Sequence, residues 1–131
     1  MHSVNIIITI ILVACFLPYV FAIVARKASG YDSKLHTNPR LHVNQASGLA
    51  ARANAVQQNS FEGLPLFIAA ILMADYLVIP DKLIISLGLG YLVLRIAYAI
   101  CYLAKLGTLR SIFWLFSTLC PVSLLLICIW F

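Results

Sequence analysis

Four long apolar blocks, at residues 4–24, 61–79, 83–106 and 112–131, limit what this chain can become more than any other feature. Each is close to the roughly 20 residues that a helix needs to cross about 30 Å of hydrocarbon. A β-barrel would show segments of about ten residues alternating in and out, whereas these blocks are apolar on every face. A helix satisfies its own backbone in lipid, so four membrane-spanning helices are expected, at about residues 4–25, 46–79, 82–106 and 110–131. Composition agrees: 63% of the 131 residues are hydrophobic and 10% are charged, against about a quarter charged in soluble domains. The expected class is all-α, a transmembrane four-helix bundle of up-down topology, in one domain over residues 1–131.

The first block is not a secretion signal by its charge order. Residues 1–5 carry no Lys or Arg, while Arg26 and Lys27 follow the apolar run directly. Positive charge is unequal between the loops. Arg26, Lys27, Lys34, Arg40 and Arg52 lie between the first two helices, Lys105 and Arg110 between the last two, and only Lys82 between the middle pair. The positive-inside rule then puts the first and third loops in the cytoplasm and both termini outside. The net charge of +5 is mostly this asymmetry. No basic run is dense enough for nucleic-acid binding. Cys15, Cys101, Cys120 and Cys128 lie within or beside apolar segments without metal-ligand spacing, and read as small hydrophobes.

The one long polar stretch, residues 25–58, holds His36, His42 and the turn-forming Asn38-Pro39-Arg40. Its first half is expected as loop. From about Asn44 the sequence favours helix, with Asn44 or Ser47 as cap, so the second helix should begin well before its apolar block. The connections at Pro80-Asp81 and Gly107-Thr108 are short, which makes successive helices antiparallel neighbours. Ser86 and Gly90 have the spacing of a close helix contact.

Charges inside an apolar span are costly, about 2.5 to 3.5 kcal/mol each on insertion scales, so Glu62 and Arg95 carry information. Arg95 is far from both ends of its block and needs a partner within the protein. An antiparallel hairpin turning near Ile79 and Pro80 brings Glu62 opposite the turn that holds Arg95 to Tyr98; Asp75 falls too far toward the hairpin end. Arg52, Asn59 and Glu62 are spaced by seven and three residues, within an arc of about 80° on one helix. Tyr91, Arg95, Tyr98 and Tyr102, spaced by four, three and four, form a similar stripe on the next. Two facing polar stripes make a cleft suited to a small anion with several carboxylates, held by Arg52, Arg95 and Arg110. Plainer roles fit single members: Arg52 as an interfacial cation, Arg110 as a helix-start flank, the tyrosines as packing, and an Arg95–Glu62 pair as structural glue.

The run from Arg52 through Asn59, Glu62 and Pro65 to Phe67, together with the stretch from Tyr91 to Tyr102, resembles the signature of the MAPEG family, the membrane-associated proteins of eicosanoid and glutathione metabolism, in its bacterial branch. The resemblance implies a homotrimer of four-helix bundles in a bacterial inner membrane. It implies glutathione as co-substrate, bound within the membrane near the cytoplasmic face by Arg52, Asn59, Glu62, Arg95, Tyr98 and Tyr102. Arg110 is the candidate catalytic residue, favouring the thiolate. Two positions depart from the family pattern: Ala55 stands where its mammalian enzymes carry an Arg, and an ungapped match puts the thiolate-stabilising Arg on Leu109, so Arg110 needs a slip of one residue.

The expected function is a membrane-bound glutathione transferase or peroxidase acting on lipophilic electrophiles or lipid hydroperoxides. One alternative is a non-catalytic lipid- or glutathione-binding membrane protein. The other, a small proton-coupled multidrug exporter, is disfavoured because it would place an unpaired carboxylate in the first helix, which has none.

Overall fold

A computed structural model describes residues 2–131, which form five helices: α1 (His2–Ala28), α2 (Pro39–Asn44), α3 (Leu49–Tyr76), α4 (Asp81–Leu103) and α5 (Gly107–Trp130). The four long helices correspond to the four expected ones. By length and apolarity α1, α4 and α5 can each cross a membrane. The fourth, α3, is long enough but carries Arg52, Glu62 and Asp75 with a run of amides, so its polar face needs protein neighbours rather than lipid.

The connections obey helix-end chemistry. α1, α3 and α4 each stop in a left-handed residue, at Gly30 (φ 73), Val78 (φ 58) and Lys105 (φ 65). In each case the next residue's N–H reaches back to a carbonyl of the last turn, as from Ile79 to Ala74 (3.0 Å) and from Leu106 to Cys101 (2.8 Å). These paired bonds satisfy carbonyls that the helix leaves open and turn the chain sharply into the next helix.

Two expectations about the polar stretch are corrected. Its first half is not all loop, because Asn38 accepts a hydrogen bond from the Leu41 N–H (3.1 Å) and Pro39 occupies the first turn, which together start α2. Neither Asn44 nor Ser47 caps α3. Asn44 is the last residue of α2, where its Oδ1 accepts from Asn54 Nδ2 (2.9 Å), and Gly48 precedes α3 without a side-chain cap. His42 Nε2 donates to the Ser29 carbonyl (2.9 Å) and ties α2 to the end of α1.

The apolar core fills the end of the bundle near the α3–α4 turn, where Ile10 and Ala14 of α1 meet Phe67 and Ile71 of α3, Ile84 of α4 and Leu124 of α5. The close approach on α4 is at Gly88 and not at Ser86. A Cβ on Gly88 would lie 3.1 Å from Ile10 Cγ2, whereas Ser86 is exposed and its hydroxyl bonds the Lys82 carbonyl (2.7 Å). At the opposite end, polar side chains keep the helices from filling the space between them, and cavities open there.

Candidate functional site

α3, α4 and α5 supply the walls of two adjoining hollows. The outer one, about 350 Å³, is lined by Asn59 and Glu62 of α3, Tyr98 and Tyr102 of α4, and Arg110 and Trp114 of α5, with Ala55, Gln58 and Ser111 at its margin. The inner one, about 230 Å³, shares Asn59, Glu62 and Trp114 and continues to Tyr91, Arg95 and Thr118. The two form one groove that begins at the end of the bundle carrying the α4–α5 connection and deepens toward its middle.

Helical periodicity explains why these residues meet. Asn59 and Glu62 are three apart on α3; Tyr91, Arg95, Tyr98 and Tyr102 lie at spacings of three and four on α4; Arg110, Trp114 and Thr118 lie at spacings of four on α5. Each set is a single stripe, and all three border the same two hollows.

On the α4 side, cations and rings alternate. The Arg95 guanidinium carbon lies 4.5 Å from the Tyr98 ring centre, Tyr98 and Tyr102 meet edge to face at 5.8 Å, and Arg110 lies 4.5 Å from the Tyr102 ring. Each ring face offers negative quadrupole to a guanidinium, which holds two positive charges along one wall without an acid between them. Deeper, Tyr91 stacks on Phe67 at 4.1 Å, and its hydroxyl sits 3.0 Å from where a Cβ on Gly63 would be. A side chain there would have to push the hydroxyl aside.

Arg95 is 3% exposed and donates from Nη2 to Asn59 Oδ1 (2.7 Å) and to Ser60 Oγ (3.3 Å), while its Nε has no partner. The expected Arg95–Glu62 ion pair is therefore corrected. Both residues line the inner hollow, as the hairpin geometry required, but the guanidinium extends toward the C-terminal end of α4, over Tyr98, and meets Asn59 one turn from the acid. Glu62 stays exposed on the groove's lip.

Arg52 stands outside the lining of both hollows. Its Nε donates to the carbonyl of Leu103, the last residue of α4, at 3.2 Å, so it braces the start of α3 against a helix end instead of lining the groove. A cation is favoured there because the last carbonyls of a helix are unsatisfied and carry partial negative charge. Asn59, Glu62, Arg95, Tyr98, Tyr102 and Arg110 are brought together.

Sequence reasoning missed Ser60, Gln58, Ser111, Trp114 and Thr118. Trp114 and Thr118 were accessible to it, as residues four and eight beyond Arg110 on one face of α5. Leu109, which an ungapped match puts on a family Arg, is 45% exposed, and its neighbour Arg110 points into the groove. Of these two neighbours, Arg110 is the one that lines the hollow.

Among the described residues no cluster of His, Cys, Asp or Glu could hold a metal ion, and the four cysteines are free. What the groove offers is hydrogen-bond donors, two guanidiniums, one free carboxylate and an indole, which is a set for binding a polar molecule.

Comparison with known proteins identifies the family. Neither a curated protein nor a solved structure gives a match. The sequence profile of the MAPEG family matches residues 6–130, nearly the whole chain. That profile runs through all four long helices, including every residue of the groove, and on this ground the chain belongs to the MAPEG family.

Proposed function

We propose that the chain is a membrane-bound glutathione transferase or peroxidase that holds glutathione in the α3–α4–α5 groove. The observation that carries this is the convergence of Arg110, Glu62, Asn59 and the Tyr98–Tyr102 pair on one hollow of about 350 Å³. Glutathione has two carboxylates and one ammonium. The Arg95 guanidinium of the inner hollow suits a carboxylate, the Glu62 carboxylate suits the ammonium, and amides and phenols suit the peptide groups. The hollow is within the range of small-molecule sites.

In this reading Arg110 lies beside the thiol and favours its ionised form, as a guanidinium does for any nearby thiolate. The thiolate attacks an electrophilic carbon, a carbon–sulfur bond forms, the leaving group departs with its electron pair, and the thiol proton passes to water. For a lipid hydroperoxide, two glutathiones are oxidised to the disulfide while the hydroperoxide is reduced to an alcohol and water. The lipophilic partner arrives from the bilayer past Trp114, which is 42% exposed at the groove's edge. The positive charge on the loops supports a groove mouth at the cytoplasmic face with the termini outside, and in this reading the chain works as a homotrimer in a bacterial inner membrane.

Activity toward a generic aryl halide tests the reading. Detergent-purified protein should conjugate it to glutathione, and Arg110→Ala should lower kcat by about a hundredfold while glutathione binding persists, the usual cost of removing one charge-stabilising donor. Binding without turnover in the unaltered protein would favour the second reading, a non-catalytic binder. That reading draws on Ala55, which lines the hollow where mammalian relatives carry an arginine, and so leaves the site one cation short.

A further inference from the structure

The connection between α1 and α2 is fixed by its own contacts and still leaves Leu35 78% exposed. The N–H groups of Leu35 and His36 both donate to the Asp32 carbonyl (3.0 and 2.8 Å), and Asp32 Oδ1 accepts from the Lys34 N–H (2.9 Å). The product is one tight turn with Lys34 and Leu35 exposed on it. Tyr31 stands 5.7 Å from His36 and 6.0 Å from His42, ring centre to ring centre, and His42 Nε2 donates to the Ser29 carbonyl, so the turn is held against the end of α1. A loop that gives up its conformational freedom to present an uncovered leucine presents it to something.

Position and charge say what that is. Phe16, Val20 and Ile23 are exposed and spaced by four and three residues on α1, and Lys27 continues the same stripe four residues on. This is a face suited to acyl chains, and it runs out in a cation at the depth of the head groups. The chain reverses at Gly30 (φ 73), and the Tyr31 N–H reaches back to the Arg26 carbonyl (3.3 Å), so the Leu35 turn starts beside that depth. Lys27, Lys34, Arg40 and Lys105 are all exposed on this end of the molecule. Its acids are Asp32, whose carboxylate accepts the Lys34 N–H, and Glu62 at the groove, while Asp75 and Asp81 lie at the opposite end. A second copy of the chain would therefore meet this end with like charge, whereas an anionic bilayer surface supplies the missing sign.

We infer that the α1–α2 turn docks on the surface of an anionic phospholipid bilayer, with Leu35 entering the boundary between head groups and acyl chains and with Lys34 and Lys27 against the phosphates. The partner is the bilayer surface as a whole and not one lipid held in a pocket. The leucine supplies the depth, as the apolar face of an interfacial segment does, and the cations supply the preference for anionic lipid. Each cation near such a surface adds a preference of about fivefold.

The test uses the full-length protein in nanodiscs of phosphatidylcholine alone and of phosphatidylcholine mixed with phosphatidylglycerol, with amide exchange over residues 33–37 read by mass spectrometry. Both faces of a disc have one composition, so the result does not depend on which way the chain is oriented or on what the groove binds. Exchange should be slower in the mixed bilayer by at least about fivefold. Lys34→Gln should lose about fivefold of that protection, and Leu35→Asn should bring exchange in the mixed bilayer close to that in phosphatidylcholine. Both side chains are exposed, so the variants retain the fold, which an unchanged unfolding temperature in nonionic detergent checks; where one variant unfolds, the other decides. Equal exchange in the two bilayers would overturn the inference and leave Leu35 to a soluble partner. Full protection kept in both variants would overturn it too, as would a change of oligomeric mass in Leu35→Asn, which assigns the turn to a contact between copies.

Discussion

Arg95 is a buried charge held by two neutral acceptors, and the difference between them is measurable. Asn59 accepts at 2.7 Å and Ser60 at 3.3 Å, so most of the compensation for burying the guanidinium comes from Asn59. Removing a partner from a buried charged group costs about 1.5–3 kcal/mol, and a weak or long bond costs less. Asn59→Ala should therefore lower stability by about 2 kcal/mol and Ser60→Ala by under about 1 kcal/mol, read by denaturant titration in detergent. The reverse order would show that the geometry of this cluster is misread. Gly63→Ala tests the tyrosine wall. The added methyl lies 3.0 Å from the hydroxyl of Tyr91, whose ring is fixed against Phe67, so overpacking by about 1–3 kcal/mol is expected. At this scale the sequence disclosed which residues are costly and at what depth they lie, because charge inside an apolar block is visible without a structure. It did not disclose partners. Arg95 chose Asn59 over Glu62 through the direction of one side chain, and Arg52 chose a carbonyl 51 residues away, and neither choice leaves a trace in local spacing.

The helices themselves were legible because each long apolar run admits only one kind of structure in lipid. Their ends were less so. α3 and α4 finish in left-handed Val78 and Lys105, where glycine is the usual choice, and no local preference announces it. Val78 is β-branched and 80% exposed, so it carries the strain of that conformation with little packing in return. Val78→Gly relieves about 1–2 kcal/mol of strain and costs about 0.5–1 kcal/mol in the entropy of the unfolded chain. A net gain of up to about 1.5 kcal/mol is expected, seen as a higher unfolding midpoint. The short helix α2 was hidden for the opposite reason, since Asn38-Pro39 serves both as a turn and as a helix start, and only the Leu41 bond to Asn38 decides between them. Between helices, Gly88→Ala should loosen α1 from α4 at Ile10, while Gly90→Ala, whose new methyl would meet Cys120 Sγ at an ordinary 3.7 Å, should be tolerated.

Across the whole molecule, one distribution of polarity explains both the architecture and the proposed activity. The end of the bundle near the α3–α4 turn is packed with apolar side chains, and the other end is held apart by arginines, amides and tyrosines. The polar groups of α3 are answered within the protein: Asn59 and Ser60 accept from Arg95, Arg52 donates to the Leu103 carbonyl, and Asn54, Gln57, Gln58 and Glu62 border cavities. Those groups are costly if they serve nothing, which is why the groove is read as a binding site and not as an accident of packing. The groove fits a small polar anion, and glutathione is the ligand proposed for it. Calorimetry with glutathione on the detergent-solubilised protein measures this most directly. Saturable binding is predicted, weakened at least about tenfold in Glu62→Gln, since a charge-assisted bond contributes about 1.5–3 kcal/mol and each 1.4 kcal/mol is a factor of ten. No binding heat at millimolar glutathione, or equal affinity in Glu62→Gln, would contradict it.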